Sequence, residues 1–250
     1  MVMPTVRLVA LVVLVLVGGV AWAADDDARE PDPWESFNRA MFTFNDKMDQ
    51  WVLEPVAHGY DVVVPDPVER SVSNFFQNLR VPVNMMNGFL QGKPANGASD
   101  LTRFVVNTTI GVAGFFDFAT RFGFERHDED FGQTLAVWGV PSGGPLMLPI
   151  LGMGTVRDWA GWAVDFQIDP LWQNDSGAAW GLLIWRYTSD RAALLSSEAA
   201  LEGSFDEYAL IRRAYLQRRR YQVFDGSPPE EPSLDPSLEP EPDPEPEPAQ

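Results

Sequence analysis

Apolar residues recur at helical spacing in the first third of the chain. Trp34, Phe37, Met41, Phe44, Met48 and Trp51 are separated by steps of 3, 4, 3, 4 and 3, one stripe along an amphipathic helix. A second stripe runs through Val68, Val72, Phe75, Phe76 and Leu79. Both follow the same kind of start. Asp32-Pro33-Trp34-Glu35 and Asp66-Pro67-Val68-Glu69 place an acceptor at the cap, proline at the first helical position and glutamate two residues later. Thr155-Val156-Arg157-Asp158 and Ser204-Phe205-Asp206-Glu207 have related form. Alternating apolar and polar runs are few, so the pattern predicts an all-α protein.

Two segments resist that pattern. In "WGVPSGGPLMLPILGMGT", residues 138–155, prolines and glycines forbid a regular helix, yet residues 146–153 are apolar. Such a loop is buried in protein or faces something other than water. In "NTTIGVAGFFDFATRFGF", residues 107–124, aromatics alternate with glycines around Asp117. Asp100 is the expected cap of a helix through Leu101, Phe104, Val105 and Ile110. A continuous helix to Phe118 would be about 27 Å long; Gly111 and Gly114 permit a break or a close backbone approach instead.

The ends have other compositions. Arg7, a 13-residue apolar run at 8–20 and Ala21-Trp22-Ala23 read as a cleaved signal peptide over residues 1–23; the run is too short to span a bilayer, which takes about 20 residues. Residues 227–250 hold nine prolines and eight acidic residues, with no basic or aromatic residue. That composition predicts a disordered acidic tail. The expected folded domain is therefore residues 24–226. Setting aside the tail's acids and Arg7, the net charge of −18 becomes −11 on the body, which argues against nucleic acid. There are no cysteines, so disulfides, zinc thiolates and a lipobox are ruled out for these 250 residues.

Little chemistry is on offer. The two histidines, His58 and His127, have no nucleophile beside them in sequence. "RHDED", residues 126–130, reads first as a solvated acidic loop and only second as a cation site. No phosphate-cradling glycine loop or nucleophile elbow is present, and the expectation is no enzyme, no cofactor and no metal. The arginines at 212, 213, 218, 219 and 220 read as a solvated helix face or a contact for headgroups or an acidic partner. Nine tryptophans and sixteen phenylalanines suit either an aromatic core or a lipid-facing surface.

Five stretches taken in order resemble the MlaA (VacJ) family of Gram-negative outer-membrane proteins. They are "DPWESFNRAMFTFNDKMDQWVLEPVAHGY", "VSNFFQNLRVPVNMMNGFLQGK", "RFVVNTTIGVAGFFDFA", "EDFGQTLAVWGVPSGGPLMLPILG" and "TVRDWAGWAVDFQIDPL". The resemblance implies an all-helical, ring-shaped protein embedded in the inner leaflet, with a central amphipathic channel. Its implied task is lipid asymmetry: misplaced phospholipid leaves the outer leaflet for a periplasmic carrier of the MlaC type, and the ring binds trimeric porins. A non-channel scaffold binding porins is the alternative. By resemblance, Phe44 and Asn45 lie in a segment that influences channel opening. Asn38, Asn107, Asp117, Gln133, Arg157 and Asp158 sit in matching motifs, as channel-lining groups or as structural hydrogen-bond partners. Phe115, Phe116, Trp138, Trp159 and Trp162 are the expected membrane-facing residues, and Gly111, Gly114 and Gly132 the expected close-packing ones. The chain departs from the family at the lipidated N-terminal cysteine, which is missing, and at Met153, where proline is frequent.

Overall fold

The computed structural model describes residues 32–171, 177–195 and 206–229. The leader, residues 230–250, Trp172 and Ser204 lie outside them. The described chain is mainly helical. In order come α1 (Glu35–Met48), a five-residue π-helical turn (Asp49–Leu53), α2 (Glu54–Val63), α3 (Asp66–Leu90), α4 (Pro94–Thr109), α5 (Phe118–Arg121) and α6 (Phe131–Val137). A hairpin of β1 (Pro145–Leu148) and β2 (Gly152–Thr155) follows, then α7 (Val156–Asp165), α8 (Gly177–Leu194) and α9 (Glu207–Val223).

The helix starts fall near their expected places, with different capping groups. Thr155 accepts from the Asp158 amide, as its motif predicts. Asp206 caps α9 by accepting from the Ala209 amide. Asp32 does not cap an N3 amide; it accepts from the Trp34 amide at 3.3 Å, and its other oxygen takes the Tyr208 hydroxyl and faces Arg212. Asp66 lies inside the first turn of α3, because the extended backbone of Pro65 already marks the boundary. Asp100 caps nothing. Its helix begins six residues earlier at Pro94, whose fixed φ suits a first turn.

The segment 107–124 is broken, not continuous. α4 ends at Thr109, and Val112, Ala113 and Gly114 all have positive φ. A Cβ on Gly111 would lie 2.2 Å from the Phe116 carbonyl oxygen, and one on Gly114 would lie 2.4 Å from the Asn78 Cβ. The tight turn needs both glycines. Asp117 then caps α5 by accepting from the Thr120 amide at 3.1 Å.

α3 and α4 form an antiparallel helical hairpin in which Gly88 meets Gly97. α6 and α7 approach more closely still: a Cβ on Gly161 would lie 2.2 Å from the Gly132 amide nitrogen. The buried apolar cluster is small. It consists of Val72, Phe76, Leu171 and Leu183, with Phe75, Leu79 and Leu182 against it.

Candidate functional site

Polarity in this molecule runs opposite to that of a water-soluble domain. Among the described residues, sixteen buried polar or charged residues are found with fourteen buried hydrophobic ones, many of the latter alanine or valine. Gln133, Asn38, Asn87, Thr134 and Asp100 are among the largest fully buried side chains. Large apolar groups lie outside: Trp51 is 73% exposed, Val62 84% and Ile184 65%. Two helices show this inversion most directly. In α4 the buried positions are Gly97, Asp100, Arg103 and Asn107, while Leu101 and Val105 face out. In α1 Asn38 is buried while Trp34, Phe37 and Phe44 are exposed. Amphipathic helices with polar faces turned in form a shell suited to an apolar medium. Among the described residues, no helix is long and apolar enough to cross a membrane.

The hairpin is locked to α1 by two asparagines. Asn38 Nδ2 donates to the Pro145 carbonyl at 2.9 Å, and its Oδ1 accepts from the Met147 amide at 2.9 Å. Asn45 repeats the arrangement with the Leu148 carbonyl at 2.9 Å and the Ile150 amide at 2.7 Å. The geometry follows from spacing. Seven helical residues rise about 10.5 Å, and the three strand residues between the two sites rise about 10 Å. Two side-chain amides thus replace a neighbouring strand along β1. Asn45 also holds Ile150 at φ 69, a conformation unfavourable for a β-branched residue.

A cavity of about 240 Å³ lies where α3, β2, α7, α8 and α9 meet. Its lining includes the apolar side chains of Val83, Met153, Trp159, Trp162, Phe166 and Leu183. It also carries Arg80, Arg186 and Arg219 with five aspartates, Asp130, Asp158, Asp165, Asp169 and Asp190. Arg219 is fully engaged. Its Nε donates to Asp158 Oδ1 at 2.9 Å, and both terminal nitrogens bond Asp130. Burial acts to raise the Asp130 pKa, but hydrogen bonding and charge from Arg219 hold it down at about 2. The Tyr215 hydroxyl donates to Asp158 Oδ2 at 2.8 Å, and burial keeps it protonated well above its ordinary range. Asp165 differs. Burial pushes it up to about 6, although it accepts from the Phe131 amide and Asn87. Gly132 makes room for this cluster, because a Cβ there would lie 2.4 Å from Arg219 Nη2.

A separate polar network joins α3, α4 and α5. Arg103 bonds Asp117 at 2.9 Å and the Phe124 carbonyl at 2.6 Å, while Asn107 Nδ2 donates to Asp117 at 3.0 Å. Burial acts to raise the Asp117 pKa, but bonds from Thr120, Asn107 and Arg103 bring it to about 2.

Of the residues singled out from sequence, Asp158, Trp159 and Trp162 stand together on the cavity wall. Asn38 and Asn45 hold the hairpin. Phe44 lies on the outer face of α1. Asn107 and Asp117 belong to the second network. Gln133 is buried and donates to the Asp128 carbonyl at 2.9 Å, and Arg157 reaches the Val140 carbonyl at 3.4 Å. Phe116 is exposed, and Phe115 is stacked on Phe75 with ring centres 4.9 Å apart. Trp138 is exposed, with its indole nitrogen bonded to the Leu90 carbonyl. Trp159 donates to the Leu146 carbonyl at 2.8 Å.

Two expectations are corrected. The "RHDED" loop is solvated only in part: Arg126 and Asp128 are exposed, whereas Glu129 is buried against Gln91 and Lys93, and Asp130 is paired with Arg219. Nor is the arginine run of α9 a wholly solvated face, because Arg219 is buried and Arg212 reaches Asp32. Arg80, Asp165, Arg186, Tyr215 and Arg219 were not distinguishable as cavity residues in sequence. An i, i+4 pair, Tyr215 and Arg219, was the available signal.

The family described as MlaA lipoprotein matches residues 30–222. The intermembrane phospholipid transport system lipoprotein MlaA of Escherichia coli (strain K12) is 36% identical over 234 residues, covering 90% of this chain and 91% of that protein. The protein of the same name from Haemophilus influenzae is 35% identical over 201 residues, covering 78% and 80%. A solved structure described as "Structural basis for maintenance of bacterial outer membrane lipid asymmetry" matches with a TM-score of 0.69 and 36% identity, over 79% of this chain and 100% of that one. The chain belongs to the MlaA lipoprotein family.

Proposed function

We propose that this chain transports phospholipid and maintains outer-membrane lipid asymmetry. It takes misplaced phospholipid from the outer leaflet and passes it through the central cavity to the periplasmic side. The observation that carries this reading is the inverted polarity: an apolar exterior for acyl chains surrounding a charged cavity of about 240 Å³. A headgroup crossing an apolar layer needs polar partners on its way, and the aspartates and arginines of the lining supply them. The aromatic side chains of the same lining suit the acyl chains that follow. On this reading the protein acts by passage and performs no bond chemistry. Residues 1–23 act as an export signal and residues 227–250 as an acidic tail.

None of the 250 residues is a cysteine, the usual acyl acceptor of a lipoprotein. Exposed apolar surface contributes to membrane attachment, and a single acyl chain is a marginal anchor. A trimeric porin beside the ring and a periplasmic carrier of the MlaC type below it complete the path.

The test is to express the chain in a bacterium lacking its own relative and to measure phospholipid exposed at the cell surface. Exposure should return to the level of the intact strain. If the protein localises normally and binds porin while surface phospholipid stays high, the passage reading fails in favour of a scaffold.

A further inference from the structure

The three cavity arginines are not equivalent. Arg219 is closed off by short bonds to Asp130 and Asp158. Arg80 lies 3.8 Å from Asp128, and its Nε is buried without a hydrogen-bond partner. Arg186 lies 3.4 Å from Asp169 and 3.7 Å from Asp190. Charge-assisted bonds are normally about 2.7–2.9 Å long, so Arg80 and Arg186 keep unmet donor capacity. A buried donor left unmet is costly, and a phosphate oxygen is the acceptor that a guanidinium binds best.

The wall also favours one class of phosphate. Three arginines against five aspartates leave it net negative. A headgroup with net negative charge meets repulsion there, whereas one carrying its own ammonium brings the missing cation. Asp169 lies inside, with its side chain 13% exposed, and Asp190 lies at the rim, 60% exposed. The volume of about 240 Å³ corresponds to about eight waters at ~30 Å³ each. That is room for a phosphodiester with a short amino arm.

We propose that Arg80 and Arg186 grip a phosphodiester while Asp169 and Asp190 receive an ammonium beside it, so that the cavity selects zwitterionic phospholipid headgroups over net-anionic ones. This rests on the transport reading and names the substrate class of the same cavity.

The full-length protein in non-ionic detergent is titrated with dihexanoyl phosphatidylethanolamine, dihexanoyl phosphatidylglycerol, dihexanoylglycerol, phosphoethanolamine and inorganic phosphate, with occupancy read by native mass spectrometry. The zwitterionic lipid should bind at least tenfold more tightly than the other two lipids. The double substitution Arg80→Gln, Arg186→Gln should bring it down to the level of dihexanoylglycerol. Asp190→Asn, at the exposed rim where folding is not at stake, should narrow the gap between the two phospholipids at least threefold. Equal binding of all three lipids overturns the headgroup inference and leaves transport standing. Binding of phosphoethanolamine and inorganic phosphate without any lipid overturns the transport reading and leaves the headgroup chemistry. An unchanged gap in Asp190→Asn overturns the ammonium assignment, even if the double variant does not fold.

Discussion

Asp130 and Asp165 face one cavity and titrate in opposite directions, because one has a full arginine partner and the other does not. With its pKa raised from 3.8 to about 6, folded Asp165 binds more protons than the unfolded chain between those values. Its contribution therefore falls as pH rises from about 4 to 6, on the order of 3 kcal/mol in all. Asp130, held at about 2, adds stability that is present above pH 4 and lost as pH falls towards 2. Melting temperatures in detergent across pH 4–7 should show the Asp165 decline, and Asp165→Asn should flatten it. A different residue-scale prediction concerns Gly161. Its backbone meets that of Gly132, so Gly161→Ala should lower stability by about 1–3 kcal/mol, seen as a fall in melting temperature. The glycine of "AGW" is plain in the sequence, but its partner lies on another helix and only the folded chain reveals why a methyl cannot fit.

Among the elements, the helices were easier to read than the hairpin. Apolar steps of three and four marked α1 and α3, and acceptor-proline or threonine starts marked where helices begin to within a residue or two. The break after Thr109 was readable only as an option, since Gly111 and Gly114 fit either a kink or a tight helix contact. The clamp on β1 could not be read at all: Asn38 and Pro145 are 107 positions apart. A trace of it existed in two asparagines seven residues apart, two turns along one face of an amphipathic helix. Each asparagine makes two bonds to the hairpin. Asn38→Ala and Asn45→Ala should each cost about 1–3 kcal/mol, and hydrogen exchange should accelerate at the amides of Met147 and Ile150 respectively. Protection that remains unchanged would show that packing alone holds the hairpin.

At the scale of the whole molecule, the periodicity gave the stripes but not the direction in which they face. In a water-soluble bundle Trp34, Phe37 and Phe44 would be the core positions; here they are exposed while Asn38 is buried. Hydrophobic spacing is the same in either case, and the reversal depends on the surrounding solvent. The polar residues on the opposite faces were visible, but their convergence on one cavity requires five elements to meet. Phe115 and Phe116 give a direct test of the reversal. Phe116 is 53% exposed, so Phe116→Asp should reduce retention on phospholipid vesicles several-fold with little change in melting temperature. Phe115 is stacked on Phe75, and Phe115→Asp should lower both. Equal thermal damage from the two would assign Phe116 to the interior packing instead.

The outward phenylalanines of α1, valines of α2 and indoles of α8 have one more effect. Before it reaches lipid, a newly exported copy must travel through water with this surface uncovered, and unescorted copies will adhere to one another. Diluting the amphiphile that keeps the purified protein dispersed should therefore produce clusters visible by light scattering, and those clusters should disperse again when vesicles are supplied.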